Sequence, residues 1–228
     1  MSGMLGQLRG GLIVSVQAWS GSALEDPVVL AAMARAAQDG GAVAVRIQGV
    51  DAIRAVRARV EVPIVGLIKR PYPGVEPYIT PTRADVAAVA SAGAAVVAFD
   101  ATGRPHPGGT TVADLVEAVH AAGCVAMADC ATAGDAVRAQ AAGAEIVATT
   151  LCGYTAETAG HSLPALDLVR ELAELDAFAI CEGGVTQPEQ VRDALDAGAD
   201  AVVVGTAITN VDWLVRRFAG SADKVRNR

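Results

Sequence analysis

Three groups of residues in this chain have the types and spacing for proton transfer on a small phosphorylated molecule. Lys69 directly follows the apolar run Val65-Gly66-Leu67-Ile68. Its stem leaves a buried strand, so its ammonium must point into whatever opening the strand ends at. Desolvation there, with the cations Arg46 and Arg70 nearby, would lower its pKa toward the range of a general base. A Schiff base would use the same amine, and a solvated lysine or a structural ion pair is the bland alternative. Glu182 ends the apolar run Ala177–Cys181 and precedes Gly183-Gly184. It reads as an acid/base group or as a hydrogen-bond partner of substrate and Lys69, against a rim carboxylate closed by an Arg. The third group is a pair of glycine turns, Gly183-Gly184 and Gly205-Thr206, each after a Val- or Ala-rich run. Glycines let a backbone approach a ligand without a Cβ in the way, and free N–H groups at such turns converge on an anion.

Positioning these groups requires parallel strands whose ends lie side by side. The stretch Ala177 to Ala207 reads as strand, glycine turn, helix, Gly, strand and Gly-Thr, with Thr186 as the expected N-cap and Pro188 just inside the helix. An Ala-rich helix followed by Gly and a Val-rich run recurs at 40–45, 92–99, 122–128, 142–149 and 197–204. Each Gly suits the left-handed residue after a helix. Each apolar run lacks alternation, as a strand buried on both faces does. With the weaker units, strands are predicted at Leu12–Val16, Val43–Ile47, Ile64–Ile68, Val96–Phe99, Val125–Ala128, Ile146–Thr149, Phe178–Cys181 and Ala201–Val204. Helices are predicted at Pro27–Gln38, Val50–Arg59, Arg83–Ala92, Val112–Ala122, Ala133–Ala142, Leu163–Leu175, Pro188–Ala197 and Val211–Phe218. Eight alternations in 228 residues fit one α/β domain over residues 1–228, a (β/α)8 TIM barrel of the phosphate-binding type. An open doubly wound sheet is the runner-up, weakened because no GxGxxG follows the first strand.

Composition narrows the function classes. The net charge is −7, there is no basic tract, and aromatic residues are only 4% of the chain. A nucleic-acid partner is therefore not expected. No apolar run approaches the ~18 residues needed to cross a bilayer, and the N-terminal MSGMLGQLRG has no signal-peptide pattern. The expectation is a cytoplasmic protein without a membrane partner. Cys124, Cys130, Cys152 and Cys181 form no CxxC pair, and His106, His120 and His161 are scattered. The cysteines read as reduced packing residues, and neither a metal site nor a cofactor is expected.

In a barrel, function collects where strands end. Arg46 would hold a sugar oxygen or a phosphate, or pair with an acid across the rim. Gln17 is a substrate donor and acceptor or a satisfied core amide. Asp129 and Asp100 would bind sugar hydroxyls, orient Lys69 or cap the next helix, with loop structure as good an account of Asp100. Tyr154, in the segment after strand 6, is taken as a further substrate contact. His106 reads as a loop residue, and His161 as part of a long connection rather than a catalyst. The Lys69–Thr82 loop, with four prolines and two tyrosines, is stiff enough to wall the site.

Seven segments in order, GLIVSVQA (11–18), AVRIQGV (44–50), VGLIKRPYP with YITPT (65–82), MADCAT (127–132), ATTLCGYT (148–155), CEGGVTQPEQ (181–190) and VVVGTAIT (202–209), resemble the N-acetylmannosamine-6-phosphate 2-epimerase family. The likeness covers nearly the whole chain. It implies a phosphate-binding barrel that interconverts N-acetylmannosamine 6-phosphate and N-acetylglucosamine 6-phosphate in sialic-acid catabolism. It also implies Lys69 as catalytic lysine, Glu182 as its partner carboxylate, and Gln17, Arg46 and Asp129 as substrate contacts. The backbone around Gly183, Gly184, Gly205 and Thr206 would be the phosphate cradle, and the assembly a homodimer. Only a C1 aldehyde acidifies the C2 hydrogen enough, so the reacting sugar is ring-opened. One lysine serving both faces and a second proton from Glu182 both satisfy the chemistry. Two departures stand out. The family commonly has Arg after Ala-Ile-Thr where this chain has Asn210, a loss of about 1.5–3 kcal/mol of phosphate binding if nothing replaces it. Glu is also frequent where this chain has Gln48. Two alternatives to the epimerase are another phosphate-barrel lyase or synthase, and a sugar-phosphate binder without catalysis. The apolar C-terminal helix with Trp213, Leu214, Val215 and Phe218 is expected to cover the barrel bottom or a partner.

Overall fold

Each helix–Gly–strand repeat becomes one βα unit. Gly41, Gly93, Gly143 and Gly198 have φ of 100°, 105°, 101° and 106°, a left-handed backbone that turns the chain from helix into strand without Cβ strain. The computed structural model describes residues 2–226. Its strands are β1 (Leu12–Val16), β2 (Ala44–Gln48), β3 (Ile64–Leu67), β4 (Val96–Asp100), β5 (Val125–Asp129), β6 (Ile146–Ala148), β7 (Phe178–Glu182) and β8 (Ala201–Val204). Its helices are α1 (Ser2–Leu8), α2 (Pro27–Asp39), α3 (Val50–Arg57), α4 (Arg83–Ser91), α5 (Val112–Ala121), α6 (Ala133–Ala141), α7 (Leu166–Ala173), α8 (Pro188–Asp196), α9 (Thr206–Thr209) and α10 (Val211–Arg226). All eight strands are parallel, and β8 pairs with β1 to close the ring. The closed barrel displaces the open doubly wound alternative. Among the described residues no helix is long and apolar enough to cross a membrane.

The strands are apolar on both faces because two layers bury them. Residues of one parity, including Ile13, Val65, Leu67, Ala98, Met127, Phe178, Ile180 and Val203, fill the barrel interior. Residues of the other parity, such as Val14, Val45, Ile47, Val97 and Ala126, pack under the helices. Side chains two apart share a face of a strand. Following the interior set upward therefore gives Ser15, Arg46, Leu67 then Lys69, Asp129, Thr150, Glu182 and Gly205 at the top. The barrel thus runs from an apolar floor to a polar mouth.

Three differences from the sequence expectation have physical causes. Helix α1 was not anticipated, because SGMLGQL carries two glycines and no helical period. It forms through tertiary packing: Leu8 is fully buried and Met4 and Leu5 pack on the barrel interior, while Arg9 pairs with Asp200 and the Gly10 amide donates to Asp200 O at 2.7 Å. This helix, not the C-terminal one, closes the barrel bottom. Helix α7 begins at Leu166 rather than Leu163, since a residue preceding proline avoids helical geometry. Helix α8 is capped at Gln187, not Thr186: Gln190 Oε1 accepts the amides of both Thr186 (2.8 Å) and Gln187 (3.0 Å).

Candidate active site

The polar mouth opens into a cavity of about 440 Å³, a size suited to a small ligand. Gln17, Arg46, Lys69, Tyr154 and Glu182 line it, together with Gly183, Gly184, Gly205 and Thr206. Of the sequence-predicted site, only Asp129 is absent from the wall. It is fully buried beneath Arg46, where it takes Nη1 at 3.0 Å and Nη2 at 2.6 Å.

Arg46 is the hub of this floor. Its side chain is 2% exposed, and Nη1 also donates to Glu182 Oε2 at 2.7 Å. Burial alone would lower its pKa, but Asp129 and Glu182 hold it charged and the net shift is upward. Both readings of Arg46, a ligand grip and a rim ion pair, meet in one side chain that borders the cavity while its fork is spent on carboxylates. Thr150, which sequence reasoning passed over, donates to Asp129 Oδ1 at 2.7 Å and to Glu182 Oε2 at 3.3 Å. Ser15, also passed over, accepts from Gln17 Nε2 at 2.8 Å and keeps that carboxamide at the wall. Strand parity would have found both.

Lys69 and Glu182 differ in how they are held. Lys69 makes no ion pair with another described residue and its side chain stays open to the cavity. Protein packed around the amine lowers its pKa by desolvation, Arg46 adds to this, and Glu182 and Asp129 oppose it. Arg70, expected to help, instead turns outward to Asp85 at 2.5 Å. For Glu182, burial is the largest influence and pushes the carboxyl up to about 7; Asp129 pushes the same way and Arg46 against it. Both hydrogen bonds to Glu182 fall on Oε2. A proton on Oε1 is therefore free to be offered to a ligand.

The loop after β3 forms the predicted wall. The Arg70 amide donates to Tyr78 O at 2.8 Å, and the Thr80 amide to Ile68 O at 2.7 Å. Ile68 N–H in turn reaches Thr80 Oγ1 at 3.1 Å. These bonds pin Tyr78 and Ile79 against the cavity beside Lys69. Thr80 is held at φ 43°, a costly backbone for a β-branched residue. Tyr154 is 60% exposed at the rim, its ring close to Gly183.

Across from the wall lie the glycine turns. The amides of Gly183, Gly184, Gly205 and Thr206 donate to no other described residue. Gly184 has φ 73°, and a Cβ there would meet Leu163 Cβ at 2.3 Å, so backbone alone fits. Thr209 Oγ1 donates to Ser15 O at 2.8 Å and locks this turn to β1.

Other candidates fall outside the cavity. Asp100 Oδ1 accepts from the Thr102 amide and hydroxyl, and Oδ2 from Arg104 Nη2 at 2.7 Å, so it builds its own loop. His106 is buried with Nε2 at 3.0 Å from Asp100 O, and His161 is exposed. Cys130, Cys152 and Cys181 are buried and Cys124 half-buried, all unbridged; burial pushes the Cys181 thiol up to about 11.

Chemically, the cavity offers a free amine, a protonable carboxyl and unpaired amides around one small space. A family model described as "Putative N-acetylmannosamine-6-phosphate epimerase" matches residues 30–224. A relative bearing the corresponding 2-epimerase name in Corynebacterium glutamicum is 47% identical over 223 residues, covering 96% of this chain and 95% of the relative. One in Synechococcus elongatus is 44% identical over 218 residues, with 94% of each covered. The solved N-acetylmannosamine-6-phosphate 2-epimerase from Clostridium perfringens superposes with a TM-score of 0.92 at 40% identity, covering 95% of both chains. A thiamine phosphate pyrophosphorylase from Pyrococcus furiosus, at 16% identity and TM-score 0.62 over 89% of this chain and 88% of its own, shares the fold alone.

Proposed function

Because the chain belongs to the N-acetylmannosamine-6-phosphate epimerase family, we propose that it interconverts N-acetylmannosamine 6-phosphate and N-acetylglucosamine 6-phosphate by moving the proton at C2. The observation that carries this reading is that a lysine without an ion pair and a carboxyl with one oxygen left free line the same cavity as the glycine-turn amides; burial lowers the pKa of the first and raises that of the second. Phosphate seats on those amides and places C2 of the ring-opened sugar toward Lys69. Neutral Lys69 removes the proton, and charge develops on the C1 oxygen as the enediolate forms. Glu182, protonated and fixed through Oε2, donates from Oε1 to that oxygen, a role open only to a carboxyl kept neutral near pH 7. The Lys69 ammonium, after exchange with solvent, gives a proton to the opposite face of C2 as the C1 hydroxyl returns its proton to Glu182, which completes the inversion and restores both groups. Strands β3 and β7, which carry the two groups, lie on opposite sides of the ring. A homodimer and a place in amino-sugar catabolism belong to the same proposal; Val211, Val215 and Phe218 of α10, all exposed, offer apolar surface for a second copy.

The test is incubation of either sugar phosphate with the purified protein in deuterated water. Deuterium at C2 together with appearance of the other epimer is the expected result. Ligand binding without exchange would instead favour the non-catalytic binder, and turnover of only a non-acetylated sugar phosphate the other barrel enzymes.

The pH profile supplies a second check. The reaction needs Lys69 neutral and Glu182 protonated, so activity falls in acid as the amine gains its proton and falls in alkali as the carboxyl loses its own. One limb of the resulting bell is expected near pH 7, where Glu182 titrates. Glu182→Gln keeps a donor that cannot ionise, so part of the activity should remain and the alkaline fall disappear. Exchange that continues in this variant without any inversion would make Glu182 a proton carrier instead.

A further inference from the structure

Strand β6 has three residues, the fewest of the eight strands. Its register with β7 ends at Ala148 opposite Ile180, while β7 runs on to Glu182. In a regular parallel ladder the next rungs would tie Glu182 to the continuing β6 backbone: its amide would donate to the Thr149 carbonyl, and its carbonyl would accept the Leu151 amide. Neither rung takes that form. The Thr149 carbonyl is turned to the Cys152 amide at 3.0 Å, and the Leu151 amide goes to Cys130 O, just past β5, at 3.0 Å. The Thr149 hydroxyl fills both places. Glu182 N–H donates to Oγ1 at 3.0 Å, and Oγ1 donates to Glu182 O at 2.9 Å. A hydroxyl accepts and donates from a single atom, so one side chain replaces two backbone partners.

The departure from the ladder serves the site. The same turn brings Thr150 Oγ1 to Asp129 and to Glu182 Oε2 and places Leu151 in the cavity wall. The chain after Ala148 leaves β7 for these tasks, and the Thr149 hydroxyl keeps the main chain of Glu182 from losing its partners. Thr149 itself is fully buried and does not line the cavity. Resting on the epimerase reading above, we infer that Thr149 is a positioning residue whose hydroxyl holds the backbone of Glu182 and so fixes where the free Oε1 is aimed. Thr149 and Thr150 divide one task, the first holding the main chain of Glu182 and the second its carboxyl group.

Two substitutions at Thr149 separate the hydroxyl from the shape. Thr149→Val keeps the branched side chain and removes both hydrogen bonds, and Thr149→Ser keeps both bonds. In the Val variant kcat for N-acetylmannosamine 6-phosphate is expected to fall by about 10²-fold, the effect of a misplaced catalytic group. KM should stay within about threefold of wild type, as should kcat in the Ser variant. A second readout needs no turnover. The infrared carboxyl band that is missing from Glu182→Gln reports the titration of Glu182, which burial pushes up to about 7. A loosened backbone lets water reach this carboxyl, so its midpoint should drop by about half a unit or more in the Val variant and hold in the Ser variant. Arg46, Asp129, Lys69 and the Cys181 thiol, the charged and titratable groups around Glu182, are the same in both variants.

Val97→Ala, a truncation in the layer under the helices, is the control for destabilisation alone. It should lower Tm without moving kcat or the midpoint, and equal shifts in it would overturn the inference. So would a Val variant in which either readout stays at its wild-type value, or a Ser variant as impaired as the Val variant. If Thr149→Val does not fold, Thr149→Cys, close in size but a far weaker donor and acceptor, must show the same two losses. A wild-type protein that exchanges no deuterium at C2 would overturn the epimerase reading, and the infrared midpoints would still decide the role of Thr149.

Discussion

Lys69→Ala is expected to lower deuterium incorporation at C2 by about 10²–10⁴-fold, the contribution of a positioned general base. The side chain is open to the cavity and bonded to no described residue, so truncating it costs little stability, within about 0.5 kcal/mol. The loss would then be chemical and not a failure to fold. Lys69→Arg sharpens the reading. It keeps a cation at the mouth but places there a guanidinium that does not deprotonate in proteins. If Lys69 acted only as a positive charge, the Arg variant would retain much of the rate; as a base, it should be as inactive as the Ala variant. Near wild-type exchange in Lys69→Ala would remove the assigned role altogether.

The second large effect is on stability. Asp129→Ala removes the bidentate partner of an arginine that is 1% exposed. Breaking a buried pair from one side costs about 3–5 kcal/mol, and Glu182 remains to soften the loss, so about 3 kcal/mol is expected. For a chain of this length that is about 6–12 °C in Tm, measurable by calorimetry. Asp129→Asn keeps the shape and tests the electrostatics. Asp129 pushes the Glu182 carboxyl upward, so removing its charge should move the limb near pH 7 to lower pH. An unmoved limb, or a Tm within about 2 °C of wild type for Asp129→Ala, would show that the floor is not coupled as described. A buried Arg between two acids is weak evidence for stability, because well-packed apolar residues often do as well. The arrangement makes sense through what it does to Glu182: it fixes Oε2 and leaves Oε1 free, while burial, helped by Asp129, keeps the carboxyl protonable near neutrality against the pull of Arg46.

Much of this was legible in the chain. The helix–Gly–strand repeats placed five of the strands and the weaker apolar runs the other three, because a parallel strand buried on both faces leaves a continuous apolar run that is hard to mistake. Lys69, Arg46, Glu182 and the two glycine turns lie at strand ends in the sequence and around one cavity in the structure. Three kinds of information were not written locally. Helix α1 exists because the barrel floor receives Leu8, Met4 and Leu5, a tertiary reason that no propensity records. Whether Asp129 faced the ligand or lay beneath Arg46 depended on contacts across 83 residues. Whether Arg70 joined Lys69 depended on Asp85, a buried acid on a neighbouring helix. Ser15 and Thr150 were missed for a lesser reason: counting by two from Ile13 and from Ile146 reaches both.

The lock between Thr209 and Ser15 joins residues 194 positions apart. The ring closes where the last strand meets the first, so the cradle is divided across that seam, and no fragment lacking either end of the chain can possess it. Such a seam is the longest-range pairing among the described residues and, on entropic grounds, among the last to form during folding. An anion bridging the two sides adds its binding free energy to the closure itself. The substrate's phosphate thus acts as a latch on the barrel as well as a handle for the reaction.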